Sequence, residues 1–201
     1  MKKLLLKIYY ILFFGLLIVI IISCRKKLDK EEYAIFVTDP ENGFRKTQTI
    51  GEFELSVLYE PTDYIVSKEF DKNDESKIES RKKELSEFEH FQFRLKLIEG
   101  GNILKYKETF NHNESSRINH FSFETKNDFI LVSDSDTLTC KIAIYSRNYN
   151  LTPTIDLSLT FDKVNTDEDF RLIYHDQQFD LGKVKFLFKK EDLENIPELK
   201  L

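Results

Sequence analysis

Strict alternation of apolar and polar residues recurs along this chain and constrains its fold more than any other feature. In "EFELSVLY", Phe53, Leu55, Val57 and Tyr59 fall on one side, with Glu52, Glu54 and Ser56 on the other. "HFQFRLKL" repeats the pattern with Phe91, Phe93, Leu95 and Leu97. "TIDLSLTF" does so with Ile155, Leu157, Leu159 and Phe161, and "KVKFLF" with Val184, Phe186 and Phe188. "LTCKIAIY" aligns Leu138, Cys140, Ile142 and Ile144. Successive side chains of a strand point to opposite faces, so a period of two marks sheets with one face buried and one wet. Shorter strands are predicted at Ile103–Phe110, Ile118–Phe123, Phe129–Val132 and Phe170–Tyr174. Gly100-Gly101-Asn102 and Ser133–Asp136 carry the chemistry of tight hairpin turns. About nine strands with few helical patterns predict a mainly β chain. The expected fold is an antiparallel, immunoglobulin-like β-sandwich over residues 51–201.

One segment departs from this period. "ESKIESRKKELSEFE" spaces Ile78, Leu85 and Phe88 as a helix would, which predicts one inserted helix over Glu75–Glu89. Its charged face reads as solvated, with partner docking as the alternative. The final "EDLENIPELKL" reads as a short tail in which Pro197 stops further pairing.

The N-terminus has a different character. Lys2, Lys3 and Lys7 precede an apolar run from Ile8 to Ile22, and Ile21-Ile22-Ser23-Cys24 closes it. A basic start, an apolar stretch and a small residue before a cleavage point are the parts of a secretory signal peptide. The last four residues resemble the lipobox of bacterial lipoproteins, with Ile21 where leucine is usual. That resemblance implies cleavage before Cys24, a diacylglycerol on its sulfur and an acyl chain on its new amino group. Several chains are needed because each buried CH₂ contributes about 0.8 kcal/mol and one chain holds only marginally. An uncleaved transmembrane helix is the competing reading, but about 15 apolar residues fall short of the roughly 20 that span a bilayer. Residues 1–23 are therefore read as signal peptide and residues 24–50 as a lipid-anchored tether, with a short strand at Ala34–Val37.

Abundant Ile, Lys, Asn and Phe without Trp, together with the lipobox, resemble lipoproteins of the Bacteroidetes. In that group acidic residues after the lipidated Cys direct export to the cell surface. Lys30-Glu31-Glu32 is similar but displaced behind basic residues, so periplasmic and surface-facing locations both stay open. Asp136-Thr137-Leu138 resembles the group's short O-glycosylation pattern, which marks Thr137 as a candidate site; the same residues also read as a polar turn.

The net charge of −5 becomes −8 once the three lysines of residues 1–23 are removed. Such a balance lacks the basic footprint of a nucleic-acid-binding protein. With Cys24 acylated, Cys140 has no disulfide partner, and its alternation makes it a small buried hydrophobe rather than a reactive thiol.

Searches for catalytic patterns return little. The sequence contains no glycine-rich phosphate cradle, no Gly-x-Ser-x-Gly elbow, no His-Glu-x-x-His and no Cys-x-x-Cys. No catalytic residue, cofactor site or metal site is assigned. His112, His120 and Glu114 are the nearest approach to a transition-metal set, and Asp71–Glu75, Ser133–Asp136 and Asn165–Phe170 to a calcium loop. Neither has an established spacing. The loop "YSRNYNLTP" offers Tyr145, Arg147 and Tyr149, residue types enriched at binding hot spots. The expectation is a non-enzymatic, lipid-anchored envelope protein at the outer membrane that binds a protein partner as an accessory subunit. Small-ligand or glycan capture is the alternative.

Overall fold

The computed structural model describes residues 27–70, 75–147, 153–164 and 167–200. Strand β1 (Lys27–Leu28) leads into helix α1 (Lys30–Thr38). Asp29 accepts from the Glu31 and Glu32 amides while Glu32 reaches back to the Asp29 amide, a capping box that fixes the helix start. Tyr33 and Val37, four residues apart, bury one face. The expected strand at Ala34–Val37 is therefore a helix. The dense charge around it hid a short amphipathic repeat.

Strands β2 (Arg45–Ile50) and β3 (Phe53–Tyr59) form a hairpin, so the tether expected over 24–50 is folded from residue 27 and β2 belongs to the main sheet. Helices α2 (Thr62–Glu69) and α3 (Glu75–Leu85) follow; α3 is the helix expected over Glu75–Glu89, four residues shorter, and α2 was not expected. They share a small core of Val66, Ile78 and Leu85. Phe88 and Glu89 lie in strand β4 (Phe88–Leu97) instead of the helix; Glu89 takes the buried position in line with Phe91 and Phe93, and Phe88 falls on the opposite, half-buried side.

After β4 the two predicted strands are absent. Ile103–Lys105 is a single 3₁₀ turn, and helix α4 (Glu114–Phe123) occupies the second. Asn113 and Ser116 form its capping box. Arg117, His120 and Phe121 are buried at helical spacing. The Arg117 guanidinium donates to the carbonyls of Leu104 (2.8 Å) and Tyr106 (2.6 Å) and lies over the Phe179 ring. It thereby satisfies backbone acceptors that a strand partner would otherwise have met.

Strand β5 (Phe129–Val132) pairs with β6 (Thr137–Thr139) through the expected Ser133–Asp136 turn, where the Ser133 amide donates to the Asp136 carbonyl. "LTCKIAIY" is not one strand. It breaks at Cys140–Lys141, and β7 (Ile142–Tyr145) joins the other sheet beside β8 (Thr154–Asp162). Strands β9 (Phe170–His175) and β10 (Lys183–Phe188) complete the second sheet. Helix α5 (Lys190–Glu194) then leads to β11 (Glu198–Leu199), which pairs in parallel with β1. Pro197 therefore precedes a strand instead of ending all pairing.

The protein is mainly sheet. A five-stranded antiparallel sheet, β2-β3-β4-β8-β7, faces a four-stranded one, β10-β9-β5-β6. The alternating residues of both meet between them. Phe93 contacts Phe129 and Tyr174 with ring centroids 5.1 and 4.8 Å apart, and Phe91 contacts Phe170 and Phe188 at 6.2 and 5.5 Å. Each such side chain contributes about 1.5–3 kcal/mol when fully buried. Cys140 is buried as expected, and burial pushes its thiol up to about 11. Among the described residues no helix is long and apolar enough to cross a membrane.

Candidate functional site

The outer face of the five-stranded sheet is only partly covered. Its register arranges the outward residues in two rows across the strands. One row runs Arg45, Leu58, Gln92, Ser158, Ile144, and the next runs Thr47, Ser56, Arg94, Asp156. Leu58 and Ser56 are buried although they point away from the core between the sheets, and Tyr64 of α2 lines the same space. A groove of about 180 Å³ remains beside them, lined by Arg45, Ser56, Gln92, Arg94, Asp156 and Ser158, with Tyr64 and Leu58 at one side.

At the far end of the face lies β7, an edge strand. Its Ile142 and Ile144 point outward and are 51% and 59% exposed. The Ser146 amide donates to the Asp156 carbonyl at 2.9 Å. Antiparallel ladders alternate bonded and non-bonded pairs, so the amides and carbonyls of Ala143 and Tyr145 point away from β8. β7 thus combines exposed β-branched side chains with a backbone edge unpaired among the described residues, the combination that recruits another extended chain.

The charged groups of the groove are unequal. Arg94 is ion-paired to Asp156 on the neighbouring strand. Arg45 donates from Nε to the Thr38 carbonyl at 3.0 Å. Its terminal nitrogens have no acceptor, and the residue no carboxylate, among the described residues.

Of the residues expected at a recognition loop, Tyr145 is half-buried on the inner side, its ring 6.0 Å from that of Phe121, and burial raises its phenol. It acts as a wall of the sandwich edge. Arg147 is exposed just past β7, and Tyr149 lies outside the described residues. Thr137 is exposed at the start of β6, its amide donating to Asp136 Oδ1. Cys24 lies outside the described residues.

The histidine set is not assembled. His112 faces Gln178 at 3.3 Å, Glu114 pairs with Lys105, and His120 turns to Asp128. Among the described residues no three His, Cys, Asp or Glu side chains converge as a metal set would. His120 is nearly buried, its Nε2 2.6 Å from Asp128 Oδ2 and its Nδ1 3.6 Å from Glu124 Oε2. Burial pulls its pKa down, but the hydrogen bond and charge of Asp128, with Glu124, outweigh that and raise it. Both ring nitrogens face carboxylates, which leaves neither to activate a nucleophile. Of the acidic loops weighed as calcium ligands, Asp71–Asp74 and part of Asn165–Phe170 lie outside the described residues. Ser133–Asp136 is a hairpin turn, and the Ser135 amide donates to Glu168.

Ser56, Gln92 and Ser158 carry no sequence signal because they are the wet half of the alternation, where residue identity is least constrained, and Arg45 fell in the segment read as tether. The chain matches no family model, no curated protein and no solved structure.

Proposed function

We propose that this chain is a lipid-anchored protein of the bacterial cell envelope, attached to the outer membrane through Cys24 and facing the periplasm or the cell surface. It acts by binding, as an accessory subunit whose protein partner docks on the outer face of the five-stranded sheet. The supporting observation is β7, where Ile142 and Ile144 stand exposed on an edge unpaired among the described residues, beside a polar groove. Exposed apolar groups at a strand edge are otherwise blunted by charge or proline.

The immunoglobulin-like description is part of this proposal. Two facing antiparallel sheets support it. The likeness lies in the layering: β2, β3 and β4 sit side by side here, whereas the constant-type immunoglobulin order divides its second and third strands between sheets.

A photoreactive amino acid placed at Ile144 in the full chain tests the docking reading in cells. The expected result is a discrete cross-linked species absent when the same group is placed at Lys77 on α3, and lost in an Ile142→Lys background. Identical products from both positions would count against it. A second reading, capture of a small ligand or glycan, draws on the groove beside Arg45. It predicts that a soluble ligand shifts the melting temperature without any cross-link from position 144.

A further inference from the structure

We propose that the groove on the outer sheet face recognises a single carboxylate, with Arg45 as its anchoring cation. This rests on the binding role proposed for that face and names the chemistry it takes.

Arg45 and Ser56 are diagonal neighbours on adjacent strands, since Arg45 is opposite Leu58 and Thr47 is opposite Ser56. Such pairs are within reach of a long side chain or of one shared ligand. The Thr38 carbonyl holds Arg45 by Nε, which orients the guanidinium plane while its terminal nitrogens keep unused donors among the described residues. Ser56 is nine-tenths buried, and its hydroxyl has no hydrogen-bond partner among the described residues. The hydroxyl opens onto the groove, where it is free to donate to a bound group.

Charge and size narrow the ligand. The charged lining consists of Arg45, Arg94 and Asp156, which sum to +1 and match a monoanion better than a phosphate dianion. A planar guanidinium fork fits the two oxygens of a carboxylate. At about 180 Å³ the groove is smaller than the pockets that enclose drug-sized molecules. Tyr64 and Leu58 supply an apolar wall for the methylenes behind the carboxylate. The carboxylate comes either from an acidic side chain of the docked protein or from a free small acid.

Titration of the full chain in detergent micelles tests this, with the Arg45 Nε–H resonance observed by NMR. The probes are acetyl-glutamate amide, acetyl-glutamine amide, propionate and inorganic phosphate. Saturable shifts with the glutamate compound or propionate, and none with the glutamine compound, are expected. Arg45→Gln and Arg45→Lys, followed instead through the backbone amide resonances of Ser56 and Gln92, should weaken binding roughly tenfold or more, the scale of a lost hydrogen bond to a charged group. If Arg45→Gln does not fold, Ser56→Val, followed through the same Arg45 resonance, should still weaken binding. Tighter binding of the glutamate compound than propionate assigns the site to a partner's side chain, and the reverse order to a free acid. No saturable shift at Arg45, equal response to the glutamine compound, or displacement by phosphate at lower concentration would each overturn the proposal. Cross-linking from position 144 reads the docking role separately, so a silent Arg45 beside an intact cross-link removes only the carboxylate assignment.

Discussion

At Gly43 the backbone φ of +83° lies in the left-handed region, where the turn after Pro40–Asn42 closes. A Cβ there would sit within 2.0–2.7 Å of the Asp192 side chain, the group that pairs with Lys46. Gly43→Ala therefore combines backbone strain with a displaced ion pair and should cost more than about 1 kcal/mol in denaturant unfolding. His120 makes a prediction of the opposite kind. Its folded pKa is raised above the ordinary value, so the stability it contributes is complete below pH 6.5 and fades as pH rises through the folded pKa. The denaturation midpoint of the wild type should fall over that window, and His120→Gln should flatten the fall. An unchanged slope in the variant would remove His120 as the source.

Elements were legible where one physical signal dominated. The long strands β4, β8 and β10 follow from period-two burial alone, and β3 from its alternating residue types, although Ser56 and Leu58 on its outer side are covered as well. Helices α1 and α4 were not, since each buries only a few residues and its decisive information is a cap. Asp29 with Glu32, and Asn113 with Ser116, fix those starts through backbone amides that no hydrophobic pattern reports. Asp29→Ala should accordingly cost about 1 kcal/mol, with faster amide exchange confined to α1 and β1; uniform exchange throughout the chain would contradict a local role. The division of "LTCKIAIY" between two sheets was equally hidden, because alternation continues unbroken through the crossing at Cys140 and Lys141. The candidate site was the least legible part. Its strands were located, but Arg45 belonged to a segment read as tether, and the register that brings it beside Ser56 depends on pairings no single strand encodes.

Across the whole molecule, β1 and β11 meet although nearly the entire described chain separates them. The Lys200 amide donates to the Leu28 carbonyl at 2.7 Å, Lys27 pairs with Glu198 at 3.0 Å, and Leu28 is buried. Bringing distant segments together costs loop-closure entropy before any contact offsets it. Deleting residues 197–201 should therefore expose Leu28 and raise proteolytic cleavage near residues 27–30 while the two sheets stay protected. Equal susceptibility everywhere would mean the pairing is integral to the core. The same pairing has a topographic consequence. Four residue steps separate Leu28 from Cys24, a span of at most about 14 Å. In the proposed anchored state, a fluorophore or epitope attached after residue 200 is consequently held against the lipid headgroups, shielded from antibodies, and reports on the membrane rather than on the space the protein faces.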